Sequence, residues 1–252
     1  MSGPTKPQAP GEPDRAPPAQ IPLPLPFDPS FARDRLCVTG SNEAPVALVD
    51  AWPDWGGPCA LIAGPAGSGK THLARVWGSR SGARLVPVEA IRADVVPALL
   101  ADSALAVDLG EPPFADEPAL FHLINLARET ASSVLFTARS HPAGWTLERA
   151  DLASRLRAMP SAVLDAPDDA LLEAILGKLF ADRQIAVDPR VITFLIARME
   201  RSWDAVLTLT DRLDEVSLAR KRPITRHLAQ EVLESMDPMP CAATPRPNGW
   251  EG

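Results

Sequence analysis

A chain of 252 residues with 46% apolar side chains is long enough to bury one large core or two small ones. Its net charge of −7, with no run of five like charges, argues against gripping a nucleic-acid backbone as the main task. Three scattered cysteines, no basic-then-apolar leader and no apolar run near about 18 residues leave no disulfide framework, zinc site or membrane span, so a reduced, cytoplasmic protein is expected.

Residues 1–27 hold nine of the 28 prolines and few charges, the composition of a disordered, partly polyproline-like tail. Its end, "AQIPLPLPF", crowds large apolar side chains and prolines behind Gln20 with nothing local to bury them. Two readings stand side by side on physics alone: a sticky linker, or a short linear motif that docks in a partner's groove.

Over residues 28–166 the pattern alternates as in a nucleotide-binding α/β domain. Apolar runs suited to buried parallel strands occur at 59–63, 83–88, 104–108, 133–137 and 161–164. Between them, "PALFHLINLARET" sets Leu120, Leu123, Ile124 and Ala127 on one helical face, with His122 reading as a partly exposed structural residue. After Pro167 the strands stop. "DDALLEAILGKLF" repeats Leu171, Ile175, Leu179 and Leu172, Leu176, Phe180 as two adjacent helical ridges. Helices are expected at about 188–199, 203–220 and 225–236, the last capped by Thr225. Residues 167–236 thus form a small helical domain, and 237–252, with four prolines, a flexible tail.

"GPAGSGKT" follows the first strand and opens a helix, the setting a phosphate-binding loop requires. Gly64, Pro65, Ala66, Gly67, Ser68 and Gly69 would turn backbone N–H groups onto phosphates, with His72 just behind them. Lys70 would neutralise the terminal phosphate oxygens and Thr71 would ligate Mg2+. Asp108, ending the third strand, is the expected magnesium-side carboxylate. The place of a second, water-positioning acid holds Leu109, with Glu111 two residues on in a Gly-Pro-Pro turn, so weak or no intrinsic hydrolysis is expected. In "DLASRL", Arg155 is open to two readings: a surface-helix arginine, or an arginine finger acting on a nucleotide held by a neighbour.

The run from "VTGSNEAPVALVDAWPDWGG" through the loop, with "VLFTARSHP", "DLASRL" and "ITRHLAQEVL", resembles the AAA+ region of the replication initiator DnaA, and more closely the DnaA-related Hda family in its alphaproteobacterial form. The likeness covers roughly residues 26–236. "QIPLPL" is similar to that family's sliding-clamp hexapeptide, with Ile21 in place of leucine, which makes Gln20, Ile21, Leu23, Pro24 and Leu25 its clamp-binding residues. The resemblance implies an AAA+ base with a five-stranded parallel sheet, a helical lid, and bound ADP or ATP with Mg2+. It implies that the clamp-bound protein promotes hydrolysis of DnaA-bound ATP with Arg155 as the finger in trans, restraining replication initiation. DnaA and the beta subunit of DNA polymerase III are the implied partners, with homo-oligomers also open. DnaA's helix-turn-helix DNA-binding domain has no expected counterpart. The chain departs from the DnaA pattern at Asp204, where a lid arginine usually stands with Arg201 nearby here, and at the polar nucleotide sensor after the fourth strand, which offers Thr137 and Arg139 where DnaA has an aspartate. An independent P-loop ATPase or kinase, and a DnaA-like loader of another replisome protein, are the alternatives.

Overall fold

A computed structural model describes residue 33 and residues 36–236. The two tails and the hexapeptide Gln20–Leu25 therefore lie outside the described residues. In chain order the elements are α1 (Glu43–Asp50), β1 (Cys59–Ala63), α2 (Lys70–Ser81), β2 (Arg84–Pro87), α3 (Val96–Leu99), β3 (Ala104–Gly110), α4 (Glu117–Glu129), β4 (Ser133–Ala138), α5 (Ala150–Ala158) and β5 (Ser161–Val163). Four helices follow: α6 (Asp169–Asp182), α7 (Pro189–Ile196), α8 (Trp203–Arg220) and α9 (Arg226–Met236).

The five strands form one parallel sheet in the order β2-β3-β4-β1-β5. The inner strands have no polar face because helices cover both sides, which is why β1, "CALIA", is buried at every position. The period of two sorts its side chains. Cys59, Leu61 and Ala63 join Leu105, Val107 and Phe136 beneath α4 and α5. Ala60 and Ile62 face Val46, Val49, Leu73 and Trp77 of α1 and α2.

Beyond β5 the chain builds a separate helical core in which both predicted ridges of α6 are buried against α7, α8 and α9. Each helix start is marked in the sequence. The carboxylate of Asp168 accepts from Leu171 N at 2.7 Å, Ser202 Oγ from Ala205 N at 3.1 Å, and Thr225 Oγ1 from Leu228 N at 3.4 Å. Caps of this kind contribute about 1 kcal/mol each. His122 is exposed on α4. Helices α1 and α3 are additions to the sequence expectations, and the other differences are at the margins: β2 stops at Pro87 because Val88–Ala90 tightens into a 3₁₀ turn, and α7 ends at Ile196. No helix among the described residues is long and apolar enough to cross a membrane.

Candidate functional site

Parallel strands deliver their C-terminal ends to one edge of the sheet, and helices that start there point their N–H groups at the same edge. The loop Gly64–Gly69 leaves β1 at that edge and turns into α2. Gly67 and Gly69 adopt left-handed φ values of +72° and +101°. Gly64 is required by packing, because a Cβ there would stand 2.1 Å from the Leu164 carbonyl oxygen. Pro65 and Ala66 are exposed at the tip, whereas Ser68 is buried and its Oγ has no hydrogen-bond partner. A backbone cradle with a buried, unspent hydroxyl fits an oxygen-rich ligand such as a phosphate chain.

The Lys70 ammonium reaches back over this cradle, donating to the carbonyls of Gly64 at 2.8 Å and Pro65 at 2.7 Å. Burial holds its pKa below the usual lysine range, opposed by Asp108 and reinforced by Arg139. Thr71 is exposed beside it. Asp108 and Thr137 are register partners on adjacent strands, and the Thr137 hydroxyl donates to the Asp108 carboxylate at 3.1 Å. Gly110 N–H donates to the same oxygen at 3.3 Å. Among the described residues no group of three or more His, Cys, Asp or Glu could hold a metal ion alone.

Leu109 is 1% exposed and packs in the core with Phe114 and Phe136, so β3 brings one carboxylate to the edge and then an apolar side chain. Glu111 is exposed and lines a separate hollow with Glu89 and Arg139 at the ends of the strands. Arg139 itself continues β4, its N–H donating to the Gly110 carbonyl at 2.9 Å.

The helical domain touches the loop directly, a contact that sequence reasoning missed because about 135 residues separate the partners. Trp203 N–H donates to the Gly67 carbonyl at 2.7 Å, and the Trp203 ring stacks on His72 with centroids 4.2 Å apart. Burial pushes His72 down to about 4, with Lys178 and Arg75 adding to the effect, so the stacked imidazole is neutral at cellular pH. Both rings line a cleft between the loop, α1 and α6, walled by Cys37, Val46, Ile175 and Leu179. Its apolar walls beside two stacked rings suit a planar ligand. Asp204 is exposed, and Arg201 pairs with Asp169 at 2.6 Å.

Gly67→Ala tests the clasp between loop and lid. The new Cβ would lie 2.5 Å from Ser202 Cβ at a φ of +72°. Strain and overpacking together are expected to cost about 2–4 kcal/mol, roughly 5–15 °C in melting temperature. Adding Ser202→Gly, which itself costs only a few tenths of a kcal/mol at a helix cap, should restore part of the loss. An unchanged thermal melt for Gly67→Ala would show that lid and loop are not in contact.

Arg155 stands apart from this edge, half-buried on α5. Its guanidinium carbon lies 4.6 Å from the centroid of the Phe121 ring, on α4. The structure thus gathers the loop residues, Lys70, Thr71, His72, Asp108 and Thr137 at one edge and leaves Arg155 outside the group.

Residues 169–233 match the family model described as Hda, lid domain. No curated protein sequence matches the chain. The fold is similar to domain III of the replication initiation protein DnaA from Thermotoga maritima, with a TM-score of 0.69 and 18% identity, over 84% of this chain and 98% of that one. AMPPCP-bound DnaA from Aquifex aeolicus is similar with a TM-score of 0.62 and 16% identity, over 77% and 67% of the two chains. The RuvB Holliday junction branch migration motor of Thermotoga maritima gives 0.63 and 18%, over 82% and 73%.

Proposed function

We propose that this chain, which is an AAA+ protein by its fold and of the DnaA-related Hda type by its lid, binds a nucleotide and hastens hydrolysis of the ATP held by DnaA. The observation that carries the proposal is Leu109. An intact phosphate loop and Asp108 favour binding, while a core leucine where a water-positioning acid would stand leaves the chain poorly equipped to hydrolyse what it binds. A solved DnaA with AMPPCP bound supports a nucleotide in the same fold. ADP or ATP would lie with its phosphates on Gly64–Thr71 and its base in the cleft beside His72 and Trp203. Thr71 and Asp108 would hold Mg2+ through the phosphates, where the ion neutralises their charge. Arg155, outside that site, would act in trans as the finger, in the cytoplasm where the initiator works.

Two measurements test this: turnover of ATP by the chain alone, and turnover of DnaA-bound ATP with the chain and clamp loaded on DNA. Slow turnover in the first and stimulation in the second are expected. The alternative is an independent P-loop ATPase or kinase, for which the hollow lined by Glu89, Glu111 and Arg139 beside the strand ends would be the acceptor site. Fast turnover by the chain alone would establish that one instead.

The proposed tether is Gln20–Leu25. Gln20 would place its amide in a polar spot on the clamp while Leu23 and Leu25 fill an apolar pocket, the prolines limiting the entropy lost on binding. Replacing Gln20, Leu23 and Leu25 by alanine is expected to abolish clamp binding and leave the thermal melt unchanged. Full retention of clamp affinity would reduce the segment to a linker.

A further inference from the structure

We infer that the lid carries a contact surface for the phosphate backbone of duplex DNA, formed by α7 and the turn between α8 and α9. Between Leu218 and Leu228 the sequence holds Arg220, Lys221, Arg222 and Arg226 but no carboxylate, in a chain whose net charge is −7. The structure adds Arg190 on α7 and Arg198 just past its end. One ring joins the two regions: the guanidinium carbons of Arg198 and Arg226 lie 4.0 Å and 4.7 Å from the centroid of Phe194. Arg190 stands one turn before Phe194 on the same side of α7. The turn itself is fixed. Lys221 N–H donates to the Leu218 carbonyl and Arg222 N–H to the Ser217 carbonyl, both at 3.2 Å, and the Ser217 hydroxyl donates to the Arg222 carbonyl at 2.7 Å.

These charges do little for the fold. Arg190, Arg198, Lys221, Arg222 and Arg226 are exposed, and no ion pair engages them among the described residues. Asp188 is spent capping α7, accepting from Arg190 N–H at 2.8 Å, and Glu231 holds Arg220 and His227. Glu200, two residues beyond Arg198, offsets part of the charge. Arg190 and Arg226 stand in the first turns of α7 and α9, where the helix dipole favours acids and neither helix has one. Nor do these cations serve solubility, since each lowers the magnitude of the net charge. A polyanion is the partner that offsets this local cost, and cations spread over two regions engage several phosphates rather than one. Among the described residues no Phe or Trp is exposed, and Phe194 is 8% exposed beside its arginines, so no ring is available to stack unpaired bases. That selects duplex over single strand. The contact lies outside the nucleotide site and goes beyond the reading above. On a clamp loaded on DNA the lid would meet duplex at high effective concentration, so a weak contact suffices.

Fluorescence anisotropy of a labelled short duplex with the full chain tests this, without clamp or DnaA, so its failure leaves the trans-acting reading untouched. Binding is expected to be independent of base sequence and to fall steeply with salt, with a log–log slope of about −4 for four to five phosphates. One variant joins Lys221→Asn to Arg222→Gln. Both residues are exposed, and asparagine tolerates the φ of +50° at position 221, so this variant should melt as the parent does. It should bring the slope to about −2 and weaken binding at about 50 mM salt by at least tenfold. Arg198→Gln with Arg226→Gln should do the same; if uncovering Phe194 unfolds that variant, the first one decides. Four results would each overturn the proposal. These are no duplex binding at about 50 mM salt, a parental slope in the Lys221→Asn, Arg222→Gln variant, tighter binding to a single strand of the same length, and tighter binding to phosphatidylglycerol vesicles, which would make the surface a membrane contact.

Discussion

Replacing Arg155 by alanine is expected to stop the stimulation of DnaA-bound ATP hydrolysis while leaving this chain's folding, nucleotide affinity and clamp binding intact. The side chain makes its contact with Phe121 at the periphery of the α4–α5 packing, and no hydrogen bond or ion pair of the fold depends on it among the described residues. Its removal should therefore cost the fold about 1 kcal/mol or less. The loss in the reaction is of another order. Charge spreads over the phosphoryl oxygens in the transition state, and a finger that meets it there is worth about 10³–10⁵ in rate. Arg155→Lys should fail as well, because an ammonium is a point charge that does not reproduce the planar fork. Two assays on one purified variant decide the matter. A lowered melting temperature with stimulation surviving in the folded fraction would make Arg155 a structural residue.

The parts of the fold that were legible in the sequence are those whose signal is local. Buried parallel strands read as continuous apolar runs, so β1, β3 and β4 were recognisable from "CALIA", "ALAVD" and "SVLFT". The phosphate loop, its lysine and Asp108 were legible for the same reason, since each sits at a fixed offset within or just after a strand. The double ridge of α6 announced a helix buried on two sides. The short helices were not legible: α1 carries Pro45 and buries only three residues, and α3 is a single turn containing Pro97. Nor were the contacts that assemble the site. The clasp of Trp203 on Gly67 and His72, and the seat of Arg155 on Phe121, join residues far apart in the chain. No periodicity encodes such pairings. Leu109 shows both sides at once: its identity told that an acid was missing, and the structure added that its side chain belongs to the core.

Lys70→Ala is expected to weaken nucleotide binding by about tenfold to more than a hundredfold, the cost of a charge-assisted contact to phosphate. The same substitution bears on stability in two ways whose sizes differ. Without nucleotide, the Gly64 and Pro65 carbonyls lose the ammonium that donates to them. Pro65 is exposed and water can replace that donor, so the loss should be about 1 kcal/mol. With nucleotide at a hundred times its dissociation constant, the parent gains about 2.7 kcal/mol by linkage, and the variant, its affinity down by about that factor, keeps only a few tenths. At roughly 2–4 °C per kcal/mol for a protein of this size, the nucleotide-dependent rise in melting temperature should shrink from about 5–10 °C to about 1 °C. The ligand-dependent change thus exceeds the ligand-independent one, and a pair of melts with and without ADP separates them. A variant that binds ADP as tightly as the parent and shows the same rise would make the loop a relic of the fold. The nucleotide cleft, and with it the proposal that this chain holds a nucleotide while acting on another, would then need a different ligand.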